Sequence, residues 1–155
     1  MNNNSKIKSN FIFFLLIPIL VVIDQIIKIN IKAGFDVGQS KEIIKGFFSI
    51  TYIQNTGAAF GILKDQRIIF IAMTIVIIAV LLFQLLKYNN FLVKLCIVLI
   101  ISGAIGNLID RLRYGYVVDM FNFHGIWSYI FNFADILVVV GVISFCLLIF
   151  LGKDS

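Results

Sequence analysis

The sequence predicts an all-α membrane protein of four transmembrane helices carrying a small sheet outside the bilayer. Three observations point there. Mean hydropathy is +1.04, and 61% of the 155 residues are hydrophobic against 14% charged, which excludes an ordinary soluble domain. Four apolar runs, at about 11–31, 68–86, 91–109 and 135–151, have spanning length. Two polar segments, 32–67 and 110–134, separate them, and the first holds an alternating stretch of strand character. At this length a single integral-membrane domain over 1–155 is expected.

Residues 1–10 are polar, with Lys6 and Lys8, and lead into unbroken apolar sequence from Phe11 to Ile23. No small-x-small cleavage site follows, so a retained first span is expected rather than a removed leader. Pro18 lies inside it and, lacking an N–H, is expected to kink it. Gly34 and Gly38 punctuate the next segment. Residues 43–54 (IIKGFFSITYIQ) then alternate apolar and polar positions with β-branched and aromatic enrichment, predicting strand on the membrane surface. Asn55-Thr56-Gly57 breaks it, and a short helix over 58–63 is expected, capped by Asn or Thr.

Residues 68–86 include only Thr74 and Gln84 as polar positions, and at 1.5 Å per residue they reach about 28 Å, enough to cross the hydrocarbon. Lys87-Tyr88-Asn89-Asn90 makes a tight turn into the third span, where Lys94 can snorkel to the interface. Ser102, Gly103, Ala104 and Gly106 are small enough to let a neighbouring helix approach. The fourth span closes the chain, followed by Lys153.

Four spans put both termini on one side. Lysines are denser at the termini and in the 87–94 turn than in the two long segments, which predicts that the termini are cytoplasmic and both long segments external. The net charge of +5 is scattered, with no basic run among stacking aromatics, so no nucleic-acid partner is expected. Anionic membrane lipids suit these lysines better. Cys96 and Cys146 lie in apolar runs and predict buried small hydrophobes, not a disulfide.

The polar residues that break this apolar pattern gather between Gly103 and Asp135: Asn107, Asp110, Arg111, Asp119, Asn132 and Asp135. Charge in or beside a bilayer is costly, so such a cluster marks function. Asn107, Asp110 and Arg111 fall at i, i+3 and i+4, on one helix face. Asp110 fits a helix-end ion pair that orders the following loop, whereas Asn107, deeper among Gly and Ala, suits holding a carboxylate or a substrate carbonyl. Asp119 stands alone in an extended apolar setting. Asp135, taken singly, is a helix cap. Taken together, two acids between apolar walls cannot both ionise cheaply and tend to share one proton. One can then activate water while the other donates to a scissile carbonyl, a metal-free and non-covalent route to hydrolysis. Asp24 and Lys28, one helical turn apart, read either as an interfacial ion pair or as a substrate-side feature. His124 is the only histidine and has no HExxH around it, so a metal site is not expected.

These residues resemble a known family, the bacterial lipoprotein signal peptidases, or signal peptidase II. The resemblance rests on Asp24-Gln25, on Asn55-Thr56-Gly57-Ala58-Ala59-Phe60-Gly61, and on Gly106-Asn107-Leu108-Ile109-Asp110-Arg111. It continues through Gly115-Tyr116-Val117-Val118-Asp119 and Phe131-Asn132-Phe133-Ala134-Asp135, in order along nearly the whole chain. It implies four transmembrane helices with an extracytoplasmic β-cradle and short helix. It also implies an aspartic endopeptidase of the bacterial cytoplasmic membrane that cuts a prolipoprotein just before its diacylglyceryl cysteine, working as a monomer without cofactor. By motif position Asp119 and Asp135 would be catalytic, and Asn107 and Asn132 would support them. Asp24, Asn55 and Arg111 would line the substrate groove, and Asp110 would hold structure around Arg111. Two features depart from the family pattern. Met120 stands where Phe is commoner, which should alter only wall packing, and the stretch between the two aspartates is short, which should trim the flap-like outer region.

Two other readings compete. A small transporter could use the acids as a proton relay, but it wants them near the midplane rather than at span ends. A structural assembly subunit could dock through Gly103 and Gly106, but it leaves the acid pair unexplained.

Overall fold

The structure, a computed structural model, describes residues 3–57, 66–125 and 129–153. Four long helices appear among them: α1 (Asn3–Gly34), α2 (Arg67–Lys87), α3 (Phe91–Tyr114) and α4 (Phe133–Phe150). Each is long and apolar enough to span a membrane. α2 is apolar on every side yet buries only Leu85, the pattern of a helix whose remaining surface faces lipid. α3 is the hub of the bundle, packing against α1, α2 and α4. Phe13, Ile17, Val21, Leu85, Val93, Ile97, Val98 and Ile101 form the core where α1, α2 and α3 meet. Small residues seat α4. A Cβ on Gly103 would collide with the Ala134 carbonyl oxygen and meet Val138 at 2.8 Å, and one on Gly106 would meet Asp24 Oδ2 at 2.5 Å.

Three strands, β1 (Ser40–Ile44), β2 (Phe48–Asn55) and β3 (Val117–Phe123), make an antiparallel sheet in the order β1-β2-β3. Its inner side packs Tyr52, Val118 and Met120 against Ile27, Ile31 and Phe35 at the end of α1. Met120 is thus a wall residue of the sheet. The remote segment that precedes α4 joins the sheet through an isolated bridge between Phe121 and Phe131, with Phe131 O accepting from Phe121 N–H at 2.8 Å. Ring stacking of Phe131 on Phe123, at 5.8 Å between centroids, reinforces that return.

The structure departs from the sequence expectations at four places. The strand expected over 43–54 is a hairpin of β1 and β2 turning at Gly46, whose φ of +68° is left-handed. Lys45-Gly46 between the doublets Ile43-Ile44 and Phe47-Phe48 marks the turn, and the glycine supplies its positive φ. α1 continues through Pro18 without a break. α3 runs five residues beyond 109 and stops at Gly115, left-handed with φ 85°. Asp110 and Arg111 lie in the helix, as their i, i+3, i+4 spacing from Asn107 predicts, and only the helix end differs from the expected 109, because the αL glycine ends the helix and the drop in hydropathy does not. Finally, the cap of α4 is Asn132, and Asp135 is its N3 partner in a capping box. The short helix expected over 58–63 and Trp127 lie outside the described residues. Both cysteines are free, Cys96 buried and Cys146 exposed.

Candidate active site

The polar residues gather where the ends of α1 and α3, the start of α4 and strand β3 converge. β3 supplies Asp119, which is 2% exposed. β2 and β3 run antiparallel with Asn55 opposite Val117, which brings the Asn55 amide within a diagonal reach of Asp119. Asn55 Nδ2 donates to Asp119 Oδ2 at 2.9 Å, while its carbonyl oxygen accepts from Gly57 N–H at 3.0 Å. The Phe131 bridge delivers Asn132 to the other oxygen, and Asn132 Nδ2 donates to Asp119 Oδ1 at 2.7 Å.

Asn132 also serves Asp135. Its side-chain oxygen accepts from Asp135 N–H at 2.9 Å, and its own N–H donates to Asp135 Oδ2 at 3.2 Å. That leaves Asp135 Oδ1 for Asn107, whose Nδ2 donates at 2.8 Å. Asp119 and Asp135 thus flank one buried asparagine, and the charge of Asp135 acts on Asp119. Burial, and then the neighbouring Asp135 charge, push the Asp119 carboxyl up to about 7, against the pull of the Asn55 and Asn132 hydrogen bonds and of Lys28. A buried acid that is half-protonated near neutrality, beside a second acid with open surface, is equipped for proton transfer.

Behind the pair lies a buried ionic cluster. Lys28, at 1% exposure, touches Asp24 Oδ2 at 2.9 Å and Asp110 Oδ2 at 3.0 Å, and donates to Asn107 Oδ1 at 2.9 Å. Gln25 donates to Asp110 Oδ1 at 3.0 Å and to the Gly106 carbonyl at 3.2 Å. Asp24 Oδ1 accepts from Ala134 N–H at 3.0 Å, satisfying an amide in the first turn of α4 from across the bundle. Asp110 Oδ2 accepts from Val118 N–H at 3.1 Å, one residue before Asp119.

Three sequence expectations change here. Asp24, expected to line a groove, has no exposed surface and bonds only to protein groups. The Asp24–Lys28 pair is buried and shared with Asp110, so it is not an interfacial pair. Asp110, expected as a helix-end ion pair that orders the following loop and holds structure around Arg111, has Lys28 of α1 as its ion-pair partner and accepts from Gln25 and from Val118 N–H of the following segment. Arg111 turns the other way. Its guanidinium lies 4.9 Å from the Phe70 ring, reaches Gly57 O and Asn107 O only at 3.5 Å, and faces Asp135 and then Asp119 electrostatically. Sequence reasoning missed the centrality of Lys28 and Gln25. The signal was present, since a lysine and a glutamine sat within one turn of Asp24 in an apolar span. His124 sits away from the acids, with Nε2 2.7 Å from Ser49 Oγ on the sheet.

A family model described as signal peptidase (SPase) II matches residues 16–151. The chain belongs to the signal peptidase II family. Its relatives include the lipoprotein signal peptidases of Fusobacterium nucleatum, 41% identical over 92% of this chain and 88% of the relative, and of Clostridium tetani, 43% identical over 91% and 92%. A bacterial membrane enzyme solved by the in meso method at 2.3 Å has the same fold, with a TM-score of 0.82 and 35% identity, covering 92% of this chain and 88% of that one. A second such enzyme, at 1.9 Å, gives 0.79 at the same identity. This signal peptidase II member is therefore a multi-pass membrane protease, and the acids described above lie in the fold of that family.

Proposed function

We propose that this chain is an aspartic endopeptidase that removes signal peptides from prolipoproteins, cutting just before a diacylglyceryl-modified cysteine, with Asp119 and Asp135 as its catalytic pair. One observation carries the reading: two acids from separate elements converge on Asn132, one of them buried and holding its proton to about neutrality. Below that pH Asp119 is the acid and Asp135 the base. Asp135 takes a proton from water as the water oxygen attacks the scissile carbonyl, and Asp119 gives its proton to the carbonyl oxygen. As the tetrahedral diol collapses, Asp135 passes the proton it took from water to the departing nitrogen, Asp119 takes back a proton from one diol hydroxyl as its C=O re-forms, and the C–N bond breaks. No metal or covalent intermediate is needed. Asn55, Asn107 and Asn132 support the pair, Asp24 and Asp110 support it from behind, and Arg111 orients the extended substrate backbone beside it.

The substrate chemistry fits this placement. Acyl chains on the cysteine anchor the scissile bond at headgroup depth, so lateral diffusion and binding between helices replace a search in three dimensions. We place the site on the extracytoplasmic face of a bacterial cytoplasmic membrane, with both termini cytoplasmic, and the working form as a monomer.

The test is cleavage by the purified full chain of two precursors, one bearing a diacylglyceryl cysteine and one with that cysteine unmodified. Cleavage of the lipidated precursor immediately before the cysteine is expected, with little turnover of the other. Equal turnover of both, or a cut elsewhere, overturns the substrate assignment.

The proton on Asp119 also makes a pH prediction. Activity falls as pH rises through about 7, where that proton is lost. The Asn55 bond favours the ionised form. Removing it with Asn55→Ala raises the proton affinity of Asp119 and moves the alkaline limb of the kcat profile to higher pH, by about one unit. A limb that stays put or moves down contradicts the role given to Asp119.

A further inference from the structure

Three side-chain amides meet the acid pair, and each must present its NH2, not its carbonyl, to a carboxylate. Two are oriented by the backbone: Asn55 Oδ1 is occupied by Gly57 N–H, and Asn132 Oδ1 by Asp135 N–H. A backbone N–H can only donate, so each carbonyl is fixed and each NH2 is left for Asp119. Asn107 has no such backbone partner. Its Oδ1 receives Lys28 Nζ at 2.9 Å and a longer bond from Asn132 Nδ2 at 3.1 Å. The ammonium is donor-only and charged, so its bond is the stronger of the two.

Resting on the catalytic pair proposed above, we infer that Lys28 is a positioning residue: it fixes the Asn107 amide so that NH2 faces Asp135 and keeps Asp135 Oδ1 an acceptor, as a base must be. Asp24 and Asp110 in turn hold Lys28 in place, at 2.9 and 3.0 Å. The charged groups around this unit are Asp24 and Lys28 from α1, Asp110 and Arg111 from α3, and Asp119 from β3. Arg67 of α2 is engaged elsewhere, on Leu112 O at 2.7 Å. With the ammonium gone, Asn107 Oδ1 keeps only the longer bond from Asn132 Nδ2 at 3.1 Å, and the amide is less firmly held with its NH2 on Asp135 Oδ1.

The test is a double-mutant cycle that spares the charge balance. Lys28 with Asp24 and Asp110 carries a formal charge of −1, and Lys28→Met with Asp24→Asn leaves Asp110 alone, again −1. Kinetics are taken per folded enzyme on a lipidated precursor. The double variant is expected to lose on the order of 100-fold in kcat, as misplacement of a catalytic group does, with KM within about twofold. Asn107→Ala should lose a similar factor, and adding it to the double variant should cost little more, since both changes break one chain of contacts. Losses that multiply, or a double variant with wild-type kcat, overturn the assignment to Lys28. If the double variant does not accumulate, Lys28→Gln offers a weaker neutral donor. A smaller kcat loss, again non-additive with Asn107→Ala, is then expected, and an additive one overturns the inference. Asp119→Asn and Asp135→Asn separate the two levels: activity surviving in them sinks the catalytic pair itself, whereas activity lost in them but indifferent to Lys28 sinks only this inference.

Discussion

Asp119→Asn and Asp135→Asn each reduce cleavage of a diacylglyceryl precursor by about 10⁴-fold or more, while the protein still inserts and folds. General acid and base catalysis each contribute up to about that factor, and among the described residues no other carboxylate hydrogen-bonds to Asn132 to take over. An amide preserves the size of the side chain, and with it part of the hydrogen bonding, but cannot accept a proton from water or donate one to a carbonyl at useful acidity. The two variants should differ in stability. Asp119 carries its charge reluctantly in the fold, because its carboxyl lies above the unfolded value of 3.8 and reaches about 7. Ionisation therefore weakens the folded state as pH climbs from 3.8 through 7, and Asp119→Asn removes that loss. Its thermal midpoint at pH 8 should equal or exceed that of the parent. Asp135→Asn gives up an acceptor in the capping box of α4 and should cost about 1 kcal/mol. Turnover comparable with the parent in either variant would falsify the pair.

The largest structural effect is expected from Asp110→Ala. Asp110 has no exposed surface and accepts from Lys28, Gln25 and Val118 N–H. Truncation leaves a buried ammonium with only Asp24 opposite, together with an orphaned backbone donor. A buried donor left unsatisfied costs about 1–3 kcal/mol, and the lost charge-assisted bond to the ammonium adds a similar amount. Thermal unfolding in detergent should show the loss, and activity should fall with the folded fraction. Asp110→Asn keeps one acceptor and should lose less. A midpoint within a degree or two of the parent for Asp110→Ala would mean that the cluster is wet and weak, as an exposed ion pair is.

Much of the architecture was legible in the residues. Hydropathy alone marked the four spans, because lipid admits only long apolar helices, and the run of Gly103 and Gly106 announced the close approach of α4. The acids that meet at Asn132 could be picked out because charge is rare in this composition. What the chain does not show locally is depth and return. Asp24 and Lys28 look the same in sequence whether they end a helix in water or lie beneath three others, and only packing against Asp110 and Ala134 decides it. The hairpin at Gly46 hid inside one run of strand-forming residues, 43–54. The bridge from Phe121 to Phe131 is a pairing across a loop whose partners carry no local mark, yet it sets Asn132 against Asp119. Helix ends misled for a similar reason. A glycine with positive φ ends α3, after five helical residues beyond the change in polarity at 109 that hydropathy sees.

One asparagine both starts the final helix and joins the two acids. Synthesis runs from the amino end, so Asp119 emerges before the segment that makes its neighbour. Until the last span has wound from Asn132 and docked on Gly103, the first acid faces no counterpart and the centre does not exist. With Asp119 and Asp135 as the proposed pair, a nascent or truncated chain lacking α4 carries only one of the two acids and is expected not to cleave a lipidated precursor.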